Sequence, residues 1–113
     1  MTEQEIFNTV CDHLMKQGEH SMNYNGCAYR GLKGQKCAVG CLITDDEYSV
    51  GMEGSDVERL FDRGDLPSRL KPHAELLVRL QIIHDGGAVP NWPTHLRMLA
   101  AKRNLTVPAS VPA

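Results

Sequence analysis

The sequence predicts a mainly helical α+β domain of about four to five helices with one β-hairpin near residues 26–40, and three observations carry that reading. Apolar residues recur at helical spacing over residues 6–15, 57–61, 76–83 and 92–99. Thr2 with Glu5, Thr44 with Glu47 and Ser55 with Glu58 have the spacing of capping boxes, which mark where helices or helical turns begin. The segment 26–40 instead alternates in polarity and is punctuated by Gly31 and Gly34, as hairpins are. A chain of 113 residues fits one domain, assigned here to residues 1–105, whose core needs neither disulfides nor metal to hold it.

Each element follows in order. Ile6, Phe7, Val10, Cys11, Leu14 and Met15 form the apolar stripe of a first helix over residues 3–17, which Gly18 stops. Cys11 lies on that stripe as a small hydrophobe. Cys27 and Tyr29 alternate with Ala28 and Arg30 on the outgoing arm of the hairpin, with the turn at Gly31, Lys33 and Gly34. The returning segment 36–43 is small and apolar, and its pattern fits either an extended arm or a helical turn that stacks Cys37 and Cys41. A short helical turn is expected near 45–48 and a firmer helix at 56–63, with Val57, Leu60 and Phe61 as its buried side. Pro67 and Pro72 suit the first turn of a helix, where no amide proton is needed. The next helix, 73–84, is so rich in Leu, Ile and Val that burial on most sides is expected, which makes it the centre of the core. Gly86 and Gly87 end it, and the Pro90-to-Pro93 corner opens a last helix with Trp92, Leu96 and Leu99 facing inward. The tail, residues 106–113, has no pattern and is expected to be disordered or extended.

Composition narrows the functional classes. Twelve Lys and Arg against fourteen Asp and Glu give a formal charge of −2, so no long-range field draws the chain to nucleic acid or to an anionic membrane. No apolar run approaches the roughly 20 residues that span a bilayer, and Glu3 and Glu5 stand where a signal peptide would be cationic. A cytoplasmic location is expected, with Cys11, Cys27, Cys37 and Cys41 as free thiols.

Chemistry is concentrated between Gly26 and Tyr48. A structural zinc would draw on Cys27, Cys37 and Cys41, with His13 or His20 completing the set, although the spacing of these cysteines matches the usual knuckle only loosely. A thiol hydrolase or thiol-redox enzyme would centre on Cys37, its thiolate favoured by Arg30, Lys33 or Lys36, with His84 beside Asp85, or His95, as base. No phosphate-binding glycine loop accompanies Arg30 or Arg103, and no cofactor is expected.

The pieces CAYRG at 27–31, KCAVGCLI at 36–43, DDEY at 45–48, MEG at 52–54 and LQIIHD at 80–85, with a tryptophan downstream, resemble small uncharacterised proteins encoded by tailed phages and prophages. The resemblance covers residues 1–105 and attaches to no activity, so it transfers no functional residue. It implies a phage-type accessory protein in the cytoplasm of a bacterial host, acting by binding a host, defence or phage protein. The hairpin tip is the expected contact. Tyr29, Arg30, Leu32 and Lys33 are the candidate binding residues, because exposed aromatic and arginine side chains dominate binding hot spots.

Overall fold

Helix α1 (Glu3–Gln17) starts where its cap was expected: the Glu5 amide donates to Thr2 Oγ1 at 3.1 Å, and the Thr2 amide donates to Glu5 Oε1 at 2.7 Å. Gly18, in the left-handed region at φ 66°, closes it, and Ile6, Phe7, Val10, Cys11 and Leu14 are buried. The computed structural model describes all of residues 1–113 and places this helix against the turn at 37–43.

The fold is mainly helical α+β, as expected, but its hairpin lies earlier. Strand β1 (Met22–Asn23) pairs antiparallel with β2 (Gly26–Cys27), Met22 opposite Cys27 and Asn23 opposite Gly26. Asn23 and Gly26 make the turn: Asn23 Oδ1 accepts the Asn25 amide at 2.8 Å, and Gly26 adopts φ 123°. The expected hairpin arms at 26–40 meet only at a single bridge, Arg30 to Lys36. The returning segment takes the helical alternative. Cys41 N donates to Cys37 O at 3.1 Å and a 3-10 turn follows over Gly40–Leu42.

Helix α2 (Val57–Arg63) is capped one residue later than its sequence suggests, by Asp56, whose carboxylate accepts the Arg59 amide at 2.9 Å. A carboxylate outcompetes the Ser55 hydroxyl, which instead accepts from Arg63 at 2.9 Å. Val57 and Leu60 are buried, whereas Phe61 is exposed. Thr44 and Glu47 do form a reciprocal pair, at 3.0 and 3.3 Å, around a single turn.

A 3-10 stretch over Ser68–His73 leads into α3 (Ala74–Gly86). Leu76, Leu77, Leu80 and Ile83 are buried, and α3 packs against α2 on one side and α4 (Trp92–Arg103) on the other. Burial is less complete than the sequence implied, because Ile82 faces out. Trp92, Leu96, Leu99 and Ala100 turn α4 inward, and Arg103 ties three helices together by pairing with Glu3 at 2.8 Å and Glu75 at 3.0 Å. The tail is irregular, turns at 108–111 where the Val111 amide donates to Pro108 O at 3.1 Å, and is seated on the domain. Leu105, Val107 and the buried Val111 pack on the core, and Gln4 exchanges two 2.8 Å hydrogen bonds with Thr106. No helix is long and apolar enough to cross a membrane.

Candidate functional site

The hairpin meets the C-terminal half of α3 around a small polar cavity of about 260 Å³, lined among others by Cys27, Tyr29, Cys37, Gln81 and Asp85. Helical spacing puts Gln81 and Asp85 one turn apart on α3, with His84 beside them. Gln81 Oε1 accepts the Val39 amide at 3.0 Å, and its amide group donates to Asp85 Oδ1 at 2.7 Å. The fully buried His84 lies 2.6 Å from the same carboxylate oxygen through Nδ1, while its Nε2 accepts the Ser21 amide at 3.0 Å. The ligand-type atoms of Cys27, His84 and Asp85 all fall within 4.8 Å of one another.

The hydrogen bonds assign the protons. An amide N–H always donates, so His84 Nε2 holds the lone pair and Nδ1 carries the hydrogen given to Asp85. Neither nitrogen is left to take a proton from Cys27 or to ligate a metal without first breaking one of these bonds. The Cys27 thiol is pushed up to about 11, first by burial and then by the Asp85 carboxylate, and it contacts the Met22 sulfur at 3.8 Å. A thiol so placed is a poor nucleophile near neutral pH. The cluster therefore works as a joint between hairpin and helix. No family model, curated protein or solved structure matches the chain.

The other expected site residues are dispersed. Cys37 is fully buried, and desolvation pushes its thiol up to about 12, against the lowering expected from Arg30, Lys33 and Lys36; the Gly40 amide donates to its sulfur at 3.3 Å and opposes the rise only in part. Cys41 is half-buried, donates to Ala38 O at 3.1 Å and is likewise pushed up to about 12 by burial. Cys27, Cys37 and Cys41 do not converge as a ligand set, since the one grouping with that geometry is Cys27, His84 and Asp85. His13 and His20, the expected fourth ligands, sit on backbone carbonyls instead, those of Lys36 at 2.7 Å and Gly87 at 2.8 Å.

Tyr29 is buried, with its hydroxyl donating to Ser55 O at 2.6 Å, so it belongs to the core and not to a contact surface. Arg30 is half-buried over the Tyr48 ring, 4.3 Å from its centroid, and pairs with Asp45 at 2.6 Å. Leu32 and Lys33 are exposed as expected. Glu53 escaped the sequence reading. Its carboxylate accepts the Tyr29 amide at 2.9 Å, the Arg30 amide at 3.1 Å and the Tyr48 hydroxyl at 2.7 Å, which satisfies backbone groups that no strand partner reaches.

Proposed function

We propose that the protein acts without catalysis of its own, by binding another protein of host or phage origin on the adjoining turns 22–27 and 30–36. One observation carries this reading: Met22, Tyr24 and Leu32 expose 45, 94 and 59 % of their surface on neighbouring backbone. Large apolar side chains held out on a fixed scaffold are suited to protein contact, because little ordering entropy is lost on docking. The scaffold is fixed by the Leu32 amide, which donates to Met22 O at 3.0 Å, and by the Gly31 amide on Gln35 O at 2.8 Å. Gly31 is required there, since a Cβ would meet Gln35 Oε1 at 2.4 Å and the Met22 backbone at 3.0 Å. Lys33 supplies a cation at the rim, where charge governs encounter and orientation more than affinity. The phage-type resemblance and the two engaged ring nitrogens of His84 both favour binding over chemistry.

The test is capture of a partner from bacterial lysate, identified by mass spectrometry, with thermal unfolding as the control for fold. Tyr24→Ala with Leu32→Asp is expected to abolish capture and leave the unfolding midpoint within a few degrees of wild type, since exposed turn positions carry little stability. Cys27→Ser is expected to keep capture. Capture that survives the double variant but is lost with Cys27→Ser would put the function in the cavity and not on the turns.

A further inference from the structure

Asn25 and Gly26 close the turn between β1 and β2, and theirs is the only Asn-Gly pair in the chain. Such a pair is chemically labile. The glycine nitrogen can attack the asparagine side-chain amide carbon, and no side chain on glycine obstructs the five-membered ring that results. The fold leaves this pair open: Asn25 is exposed, and nothing lies within 4 Å of where a Cβ on Gly26 would stand. The Asn25 side chain makes no hydrogen bond within the chain, only its backbone amide donating to Asn23 Oδ1 at 2.8 Å. Gly26 is paired with Asn23 across the turn, but strands of two residues each hold that pairing weakly, so brief opening frees the attacking nitrogen.

The other asparagines are guarded. Asn8 lies inside α1 before the β-branched Thr9, and its Oδ1 accepts from Gln4 at 2.8 Å. Asn23 precedes the bulky Tyr24, and its side-chain oxygen is held by the Asn25 amide. Asn91 and Asn104 precede Trp92 and Leu105, whose amides donate to Val89 O and Ala100 O.

We infer that Asn25 is a site of spontaneous deamidation, and that the isoaspartate formed there unmakes the β1–β2 turn. The Gly26 nitrogen bonds to Asn25 Cγ, and its proton leaves with the side-chain amide as ammonia. Water then opens the resulting succinimide. Cleavage between the nitrogen and Cγ gives aspartate, whereas cleavage between the nitrogen and the Asn25 backbone carbonyl carbon gives isoaspartate, whose chain runs on through Cβ and Cγ. One water enters and one ammonia leaves. Isoaspartate thus adds a methylene to the backbone of a turn that has only Tyr24 and Asn25 between its strands, so Asn23 and Gly26 no longer face each other. Either product also adds a carboxylate to a cavity lined by Asp56 and Asp85 and by no Lys, Arg or His, where like charge opposes closure of the hairpin on α3. On the binding reading above, the change falls on the turn that displays Met22 and Tyr24, but the conversion itself does not rest on that reading.

The native full-length protein, kept at mildly alkaline pH for several times as long as a synthetic peptide of residues 21–28 needs to convert, provides the test, read by isoelectric focusing and fragment mass spectrometry. Loss of the Asn25 amide, with a gain of negative charge and isoaspartate among the products, is expected while Asn8, Asn23, Asn91 and Asn104 stay intact. Asn25→Gln, whose ring closure would need an extra atom, is expected to gain no charge. Alkylation of the nearby Cys27 reads the turn, and the isoaspartate fraction is expected to label faster than fresh protein. Native protein that keeps Asn25 overturns the assignment, as does an Asn25→Gln variant that gains charge at the wild-type rate. Conversion that leaves Cys27 labelling unchanged overturns the loss of the turn.

Discussion

Gly40 has no room for a side chain, because a Cβ there would lie 2.1 Å from the carbonyl oxygen of Tyr29. The reason is close approach of backbone to backbone and not a left-handed conformation. Gly40→Ala must push apart the Tyr29 segment and the 37–43 turn, and is expected to lower stability by about 3 kcal/mol or more, read from the urea midpoint at unchanged slope. Glu53 serves the same neighbourhood from the other side, bonding the amides of Tyr29 and Arg30. The segments 27–31, 36–43 and 52–54 that carry the phage-type resemblance thus meet at one structural node. The sequence could not show this. Glu53 lies more than twenty residues from the amides it satisfies, and no periodicity connects a loop carboxylate to a distant backbone group. Cys37 was misread for a related reason: neighbouring lysines in sequence suggested a thiolate, but burial dominates when the sulfur lies inside and the cations outside.

At the scale of elements, legibility followed locality. The start of α1, its apolar stripe and its glycine stop were all readable, because cap, stripe and stop lie within the helix's own length. The inward residues of α3 were readable for the same reason. The hairpin was displaced because its strands are two residues each and leave no alternation to detect, whereas the Gly31-to-Gly34 turn imitates a hairpin tip. Phe61 reads as core in the sequence and stands exposed, because composition does not tell which side of an amphipathic helix stays uncovered. One tie between elements responds to pH. Arg69 reaches from the stretch before α3 to Leu42 O and to Glu47, 2.6 Å away, and its hydrogen bonds hold the Glu47 carboxyl down at about 2. A carboxyl lowered from its ordinary 4.5 contributes stability that is fully present above pH 4.5 and lost as pH falls toward 2. Glu47→Gln is therefore expected to be less stable than wild type at neutral pH, with the difference shrinking to nothing between pH 4.5 and pH 2 in acid-to-neutral denaturation series. The pair is partly exposed, so the effect is modest and weakens further in salt.

The whole molecule closes around one apolar cluster to which α1, α2, α3, α4, the 37–43 turn and the tail all contribute. Its radius of gyration, 13.1 Å with the tail included, is close to the roughly 13 Å of a compact domain this size, so residues 106–113 add no extended arm. A single core was readable from length and composition, but the docking of the tail was not, since Val107 and Val111 sit among prolines and small residues without any period. Burial of the sulfurs has a further consequence at this scale. Cys11 on α1 and Cys37 on the 37–43 turn lie fully inside, Cys41 on that same turn is half inside, and Cys27 sits on the outlying hairpin. Thiolate is the form that attacks an alkylating reagent, and burial disfavours it until water reaches the side chain, so labelling becomes a clock for local opening. With native protein and mass-spectrometric readout, Cys27 is expected to label first and Cys11 and Cys37 last, at rates approaching that of global unfolding. Labelling of Cys11 ahead of Cys27 would mean that α1 detaches before the hairpin does. The four thiols thereby record the order in which the domain comes apart.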